Sequence, residues 1–139
     1  MISFPCGQER PPVHLLASES DLVASLALES ERRQPLVAAM LLEEIERAEL
    51  HDPDRMPSGH AGLNSHVTFV DEKTGVARKV QLVVPAQANI AERRISILTP
   101  MGAALYGLAG GACISWPDLD GNERPIRVVQ VEQPPAREQ

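Results

Sequence analysis

Residues 93–111 read RRISILTPMGAALYGLAGG, and this run organises the rest of the chain. Ile95 and Ile97 alternate with Ser96, the pattern of a short half-buried strand. Thr99 has the side chain of a helix N-cap, because its hydroxyl can accept from a free backbone N–H one turn later. Pro100 stands where a first helical residue belongs: its fixed φ suits the helix, and its missing N–H would have had no partner there. Ala103, Ala104 and Leu105 favour helix, and Gly107 can take the left-handed conformation that ends one. The run therefore predicts strand, tight turn, one short helix and stop. Local chemistry alone describes an ordinary β–α corner equally well.

Outward from this run, the totals set bounds. The chain has 139 residues, enough for one domain or two small pieces. Apolar residues make up 43 %, so a packed core is feasible. Aromatics are only 3 %, few for stacking on bases or for lining an aromatic pocket. A net charge of −6 argues against direct nucleic-acid binding through phosphate contacts. The charge is uneven: residues 15–50 carry eight acids and three bases, whereas residues 63–132 carry seven of each. Cys6 and Cys113 form no disulfide framework by pattern, and Cys113 reads as a small core side chain. The N-terminus lacks a secretory pattern and no run is long and apolar enough to span a membrane, so a cytoplasmic protein is expected.

Upstream, residues 1–17 hold three prolines and no period, and read as an irregular lead-in. Ser18 and Asp21 fit a capping-box variant. Leu22, Val23, Leu26 and Ala27 form a helical stripe that ends near Glu29. Residues 30–34 are a polar turn, and Pro35 opens a second helix with Val37, Leu41, Ile45 and Ala48 on one face. Glu43 and Arg47 can pair on its outside. Two helices joined this closely form an antiparallel hairpin, too small to bury enough surface without a partner element or another chain. Residues 51–62 read as a linker.

Strand patterning begins at Asn64. Val67 and Phe69 alternate with His66 and Thr68. Residues 71–75 supply a hairpin turn with glycine at its end. Residues 78–84 return, residues 112–116 and 123–132 add strands, and Asp120–Gly121 joins them. Pro125 assigns the start of the last strand to an edge or a bulge. The expected organisation is an α+β chain: lead-in and short helical hairpin over 1–50, linker over 51–62, and an antiparallel sheet crossed by one short helix over 63–139.

Catalytic chemistry finds little support. There is no defensible Ser/His/Asp order, phosphate-cradling loop or Cys/His nucleophile. His51, Asp52, Asp54 and His60 fall close together, but no second Cys/His pair completes a structural zinc spacing, so no metal, cofactor or catalytic residue is assigned. Glu43, Glu44, Glu46 and Glu49 make the second helix acidic, either as a solvated face or as a surface for a basic partner. Glu29 and Glu31 lie at the hairpin tip beside Arg32 and Arg33.

The segment RISILTPMGAALYGL resembles the strand–Ser/Thr-Pro–helix segment in the C-terminal domain of the Gre transcription elongation factor superfamily. EEIERAEL, the later MP and LNSHVTF, LVVPA and ISWPDLDG extend the likeness over residues 35–133. Together they are most similar to the Rnk branch, the regulators of nucleoside diphosphate kinase. The resemblance implies an FKBP-like C-terminal domain and a short coiled coil in the hairpin. It also implies docking on RNA polymerase at the rim of its secondary channel, in competition with Gre-type factors and without transcript cleavage. The Gre rim-binding tripeptide Asp-Ser-Pro falls on Leu98, Thr99 and Pro100, with Met101 following; the hydroxyl and proline are kept and the acid is replaced by Leu98. Glu29, Glu31, Glu43 and Glu46 are the candidate acidic contacts of the arm. An FKBP-like peptidyl-prolyl isomerase or chaperone is the alternative implied by the fold, and weak self-association through the hairpin a third use.

Overall fold

The computed structural model describes residues 13–55, 59–117 and 123–132. Strand β1 (His14–Leu16) leads directly into helix α1 (Ala17–Glu29). Helix α2 (Pro35–Arg47) follows, and then strand β2 (Glu49–His51). β1 and β2 pair in parallel, His14 opposite Glu49 and Leu16 opposite His51. The expected lead-in thus contributes one strand, and the junction of the hairpin with the linker the other, to a two-stranded sheet at the base of the helices. The sequence pattern misses both because three residues are too few to show a period.

Helix α1 starts differently from the capping-box expectation. Leu16 occupies its cap position without a side-chain cap, and the Ser20 hydroxyl donates back to the Ala17 carbonyl at 2.8 Å. Of its expected stripe, Val23 and Ala27 are buried, while Leu22 is 49 % exposed. The turn at 30–34 is built on buried Ser30. Its N–H reaches the Leu26 and Ala27 carbonyls, its hydroxyl donates to the Ala27 carbonyl at 3.0 Å, and its own carbonyl accepts from Gln34 N–H at 2.8 Å. In α2, Pro35 takes the first turn, and Val37, Ala38 and Leu41 are buried. Its 13 residues span about 20 Å at 1.5 Å per residue. Arg47 pairs with Glu44 at 2.9 Å.

The main sheet has the order β5-β4-β3-β7-β6, from β3 (His66–Asp71), β4 (Ala77–Val83), β5 (Arg94–Ser96), β6 (Cys113–Pro117) and β7 (Glu123–Glu132). It is mixed rather than antiparallel throughout: β5 runs parallel to β4, with Leu82 opposite Ile95. The connection over residues 85–92 carries the chain back before it re-enters, and a return crossover makes a parallel neighbour. The turn after β3 behaves as its residues predict. Asp71 Oδ1 accepts from Lys73 N–H at 2.8 Å and from Thr74 N–H at 3.3 Å, and Gly75 has φ +78°. The expected turn at Asp120–Gly121 lies outside the described residues.

Between β3 and β7 the register slips, with Thr68 opposite Gln130 and Phe69 opposite Val128. The extra residue, Val129, is turned outward at 52 % exposure while Val128 is fully buried, as a β-bulge requires. Pro125 pairs with β6 but lies beyond the last β3 partner, Ile126, so its missing N–H costs no ladder bond on that side. Cys113 is disulfide-bonded, which the pattern of two distant cysteines did not indicate.

Helix α3 (Pro100–Leu105) lies between the helices and the sheet. Val23, Ala27, Val37, Ala38 and Leu41 share one core cluster with Leu105, Tyr106, Val67, Phe69, Leu82, Ile126 and Val128. The helical pair therefore leans on α3 of its own chain, which supplies the partner element its small size demands.

Candidate functional site

The corner that joins β5 to α3 is built around one carbonyl and one hydroxyl. The Ser96 carbonyl accepts from Thr99 N–H at 3.2 Å and from the Thr99 hydroxyl at 2.7 Å. The Ser96 hydroxyl oxygen accepts from Leu98 N–H at 2.9 Å. Thr99 Oγ1 in turn accepts from Gly102 N–H at 3.0 Å, the predicted N-cap bond. That hydroxyl has its proton committed and keeps one lone pair for an outside donor.

Gly102 lets α3 settle this close to the strand. A Cβ there would stand 2.2 Å from the Ser96 carbonyl oxygen and 2.9 Å from Ile97 Cα. At the far end, Gly107 has φ +85°, and a Cβ would stand 2.3 Å from Val13 Cγ1. Between these contacts Leu98 is turned into the core at 7 % exposure. Thr99, Pro100 and Met101 remain half-exposed and form the outward ridge of the corner. A partner meeting this ridge touches a hydroxyl, a rigid ring and a thioether, while Leu98 supports it from beneath.

The acids of the arm stand elsewhere. Glu29 closes α1, Glu31 sits in the turn after it, and Glu43 and Glu46 lie on α2; all four are exposed. Leu28 and Leu36, 56 % and 68 % exposed, flank the same turn and give the tip an apolar component.

A second cluster ties the arm to the corner and had no local sequence signal. Glu19 Oε1 on α1 accepts from the Tyr106 hydroxyl at 3.0 Å and from Leu63 N–H at 3.1 Å. Desolvation raises the Glu19 carboxyl above its ordinary range; the Leu63 and Tyr106 hydrogen bonds work against that rise. Burial and the adjoining carboxylate push the Tyr106 hydroxyl far up, so it stays a donor. Gly62 packs against this carboxylate: a Cβ there would lie 2.9 Å from Glu19 Oε1.

A third cluster was only half visible in sequence. His51 and His60 are joined by His14, 37 positions before His51. His14 Nδ1 lies 2.9 Å from His51 Nε2 and 3.7 Å from Glu49 Oε1. The His14 ring stacks on His51 with centroids 5.2 Å apart and tilts against His60 at 4.5 Å. His60 Nδ1 lies 3.2 Å from the Gly107 carbonyl. Burial lowers the His60 pKa and the neighbouring imidazoles add to this, against the Gly107 hydrogen bond. Asp52 and Asp54, grouped with these histidines by sequence, are exposed and stand outside the cluster. Alternation along a strand could have paired Glu49 with His51, but only the parallel β1–β2 pairing brings His14 to them.

Comparison with known proteins agrees with this architecture. The family described as "Transcription elongation factor, GreA/GreB, C-term" matches residues 56–133. The chain is 33 % identical over 99 residues to the "Regulator of nucleoside diphosphate kinase" of Escherichia coli (strain K12), covering 71 % of this chain and 73 % of that one. It is 29 % identical over 132 residues to the "Transcription elongation factor GreA" of Acidiphilium cryptum (strain JF-5), covering 89 % and 83 %. Among solved structures it resembles the "Prokaryotic transcription elongation factor GreA/GreB from Nitrosomonas europaea", with a TM-score of 0.69, 31 % identity, and coverage of 89 % of this chain and all of that one. No helix among the described residues is long and apolar enough to cross a membrane. With more than half of its length matched, and with relatives aligned across both the helices and the sheet, the chain belongs to the GreA/GreB transcription elongation factor family.

Proposed function

We propose that this chain is a non-enzymatic regulator of transcription that binds RNA polymerase. It docks at the rim of the secondary channel through the Thr99–Pro100–Met101 ridge and competes there with Gre-type factors. The observation that carries this reading is the capped corner itself. Ser96, Thr99 and Gly102 hold three half-exposed residues in one rigid turn; Thr99 and Pro100 stand where the last two residues of the Gre rim-binding tripeptide fall, and Leu98, at its first position, is buried. A preorganised turn loses little conformational freedom on binding. In this reading the sheet with α3 is the FKBP-like docking domain, and α1 and α2 form a short coiled-coil arm. That arm ends in Glu29 and Glu31 but is too short for transcript cleavage. Regulation of nucleoside diphosphate kinase follows the name of one relative and is the downstream effect to examine.

The direct test is retention of the chain on immobilised RNA polymerase, with and without a Thr99→Ala/Pro100→Ala double substitution, together with competition against a Gre factor. Displacement of the Gre factor by the native chain and loss of binding in the double variant support the reading. Unchanged binding in a folded double variant removes this surface from it.

The peptidyl-prolyl isomerase alternative has no such support. Phe69 and Tyr106, two of the aromatics such a pocket would need, are 2 % and 0 % exposed within the core. Exposed Leu22, Leu28 and Leu36 on the arm motivate the self-association reading, which light scattering over a concentration series addresses.

A further inference from the structure

We infer that His14, Glu49 and His51 form a binding site for a zinc-class divalent cation at the joint between the helical arm and the sheet. The three residues offer two imidazole nitrogens and one carboxylate oxygen, all within 4.8 Å of one another. Two distances can be compared with a metal's demands. Bonds of 2.0–2.1 Å in a tetrahedral zinc site set neighbouring ligand atoms roughly 3.3 Å apart. The observed separations from His14 Nδ1, 2.9 Å to His51 Nε2 and 3.7 Å to Glu49 Oε1, bracket that value. Small side-chain rotations therefore suffice to admit an ion.

The backbone explains why these residues converge. Glu49 and His51 are two apart on β2 and share a face, and the parallel register sets His14 opposite Glu49. The His14 side chain is 20 % exposed and that of Glu49 is 68 % exposed, so an ion has a path from solvent and water can complete its shell.

The surroundings also suit a metal. The Gly107 carbonyl accepts from His14 N–H at 3.3 Å, which holds the β1 backbone in place. The same carbonyl faces His60 Nδ1, which must therefore carry the proton, and the His60 ring tilts against that of His14 with centroids 4.5 Å apart, walling one side of the site. Two imidazoles and one carboxylate select a zinc-like ion over magnesium or calcium, which prefer all-oxygen shells. β1 enters α1 and β2 leaves α2, so an ion here ties both ends of the helical pair together and stiffens the arm where it meets the sheet.

The test uses the untagged full-length chain, dialysed against chelator and titrated with Zn²⁺ by calorimetry at pH 7.5. The expected result is one ion per chain, no heat with Mg²⁺, and a Zn²⁺-dependent rise in melting temperature. His14→Gln and His51→Gln should each weaken Zn²⁺ binding by at least tenfold, the scale on which even outer-shell changes act on metal affinity. His66→Gln, on β3, should bind as the native chain does. Far-UV circular dichroism confirms folding; should a histidine variant unfold, Glu49→Gln at the exposed rim takes its place with the same expected loss. Co²⁺ loading should give visible ligand-field bands that the variants lose. Absence of stoichiometric binding, or equal binding by the native, His14→Gln and His51→Gln chains, overturns the assignment.

Discussion

Tyr106 and Glu19 stand 87 positions apart in the chain, yet the tyrosine hydroxyl donates to the Glu19 carboxylate at 3.0 Å. This bond joins the start of the arm to the end of α3. Tyr106 is fully buried, so its hydroxyl has no water to fall back on. Replacing it with phenylalanine keeps the ring and removes the donor, leaving the carboxylate with Leu63 N–H. A hydrogen bond to a charged group contributes about 1.5–3 kcal/mol, and partial exposure of Glu19 favours the lower end. Tyr106→Phe should therefore lower unfolding stability by about 1–2 kcal/mol, read as a reduced urea midpoint at unchanged slope.

The same pair makes stability depend on pH in a definite direction. Glu19 has a raised carboxyl pKa in the folded chain, chiefly through desolvation. Between its unfolded value and that raised value the native state binds more protons than the unfolded one, so stability falls as pH rises. Below the unfolded value the carboxyl is protonated in both states and the penalty is absent. Above the raised value the penalty is complete. Glu19→Gln carries no charge to desolvate and keeps an oxygen for Leu63 and Tyr106. Urea denaturation at steps from pH 4 to pH 7 should show the native chain losing ground to Glu19→Gln across the window just above the ordinary carboxylate range. A constant difference between the two chains would refute the assignment.

Gly102 sets how closely α3 approaches β5. A Cβ at that position meets backbone atoms of Ser96 and Ile97, which cannot rotate aside as a side-chain tip would. Gly102→Ala must shift the helix, at about 1–3 kcal/mol of overpacking, and should disturb the Thr99 cap at the same time. Calorimetric melting checks the stability loss. A chain as stable as the native one would show that the helix can move without cost.

Much of this corner was legible in sequence, because its determinants are local. The Thr99 cap, Pro100 in the first turn and the positive φ of Gly107 each follow from a residue and its immediate neighbours. The Asp71–Gly75 turn was legible for the same reason. Three features needed the assembled chain. β1 and β2 are three residues each and take meaning only from pairing across the helical pair. The parallel placement of β5 depends on how the 85–92 connection returns, which no residue pattern states. Glu19 belongs to no local motif on α1 and acquires its role only from Leu63 and Tyr106. The burial of Leu98 is a fourth case: alternation from Ile95 and Ile97 would turn it outward, but the Ser96 turn redirects it into the core.

Thr99 has two proposed roles, starting α3 and meeting a partner, and conservative substitutions separate them. Thr99→Ala removes the cap oxygen and should cost about 1 kcal/mol, the usual scale of such a loss. Thr99→Ser restores both hydrogen bonds and should recover most of that stability. If the hydroxyl's remaining lone pair also meets RNA polymerase, Thr99→Ser should bind as the native chain does and Thr99→Ala more weakly than its stability loss alone accounts for. The comparison is made by pull-down at a temperature where both variants are fully folded. Equal binding by all three chains would confine Thr99 to its structural role.

The arm acids offer a test in which folding and binding should part company. Glu29, Glu31, Glu43 and Glu46 are exposed, and exposed surface charges contribute little to stability. Changing all four to glutamine should leave the melting temperature within a few degrees of native. It also reduces the excess of acids over bases across residues 15–50 from five to one. Charge complementarity acts mainly through the rate of encounter, and salt screens it over about 8–10 Å. If the arm enters a basic channel of the polymerase, the quadruple variant should associate several-fold more slowly at low salt, with the gap closing as salt is raised. Dissociation should change little, because the Thr99–Pro100–Met101 ridge is untouched. Stopped-flow association with labelled polymerase at two ionic strengths measures this directly. A salt-independent loss, or no loss at low salt, would mean that the acidic face of the arm is only solvated.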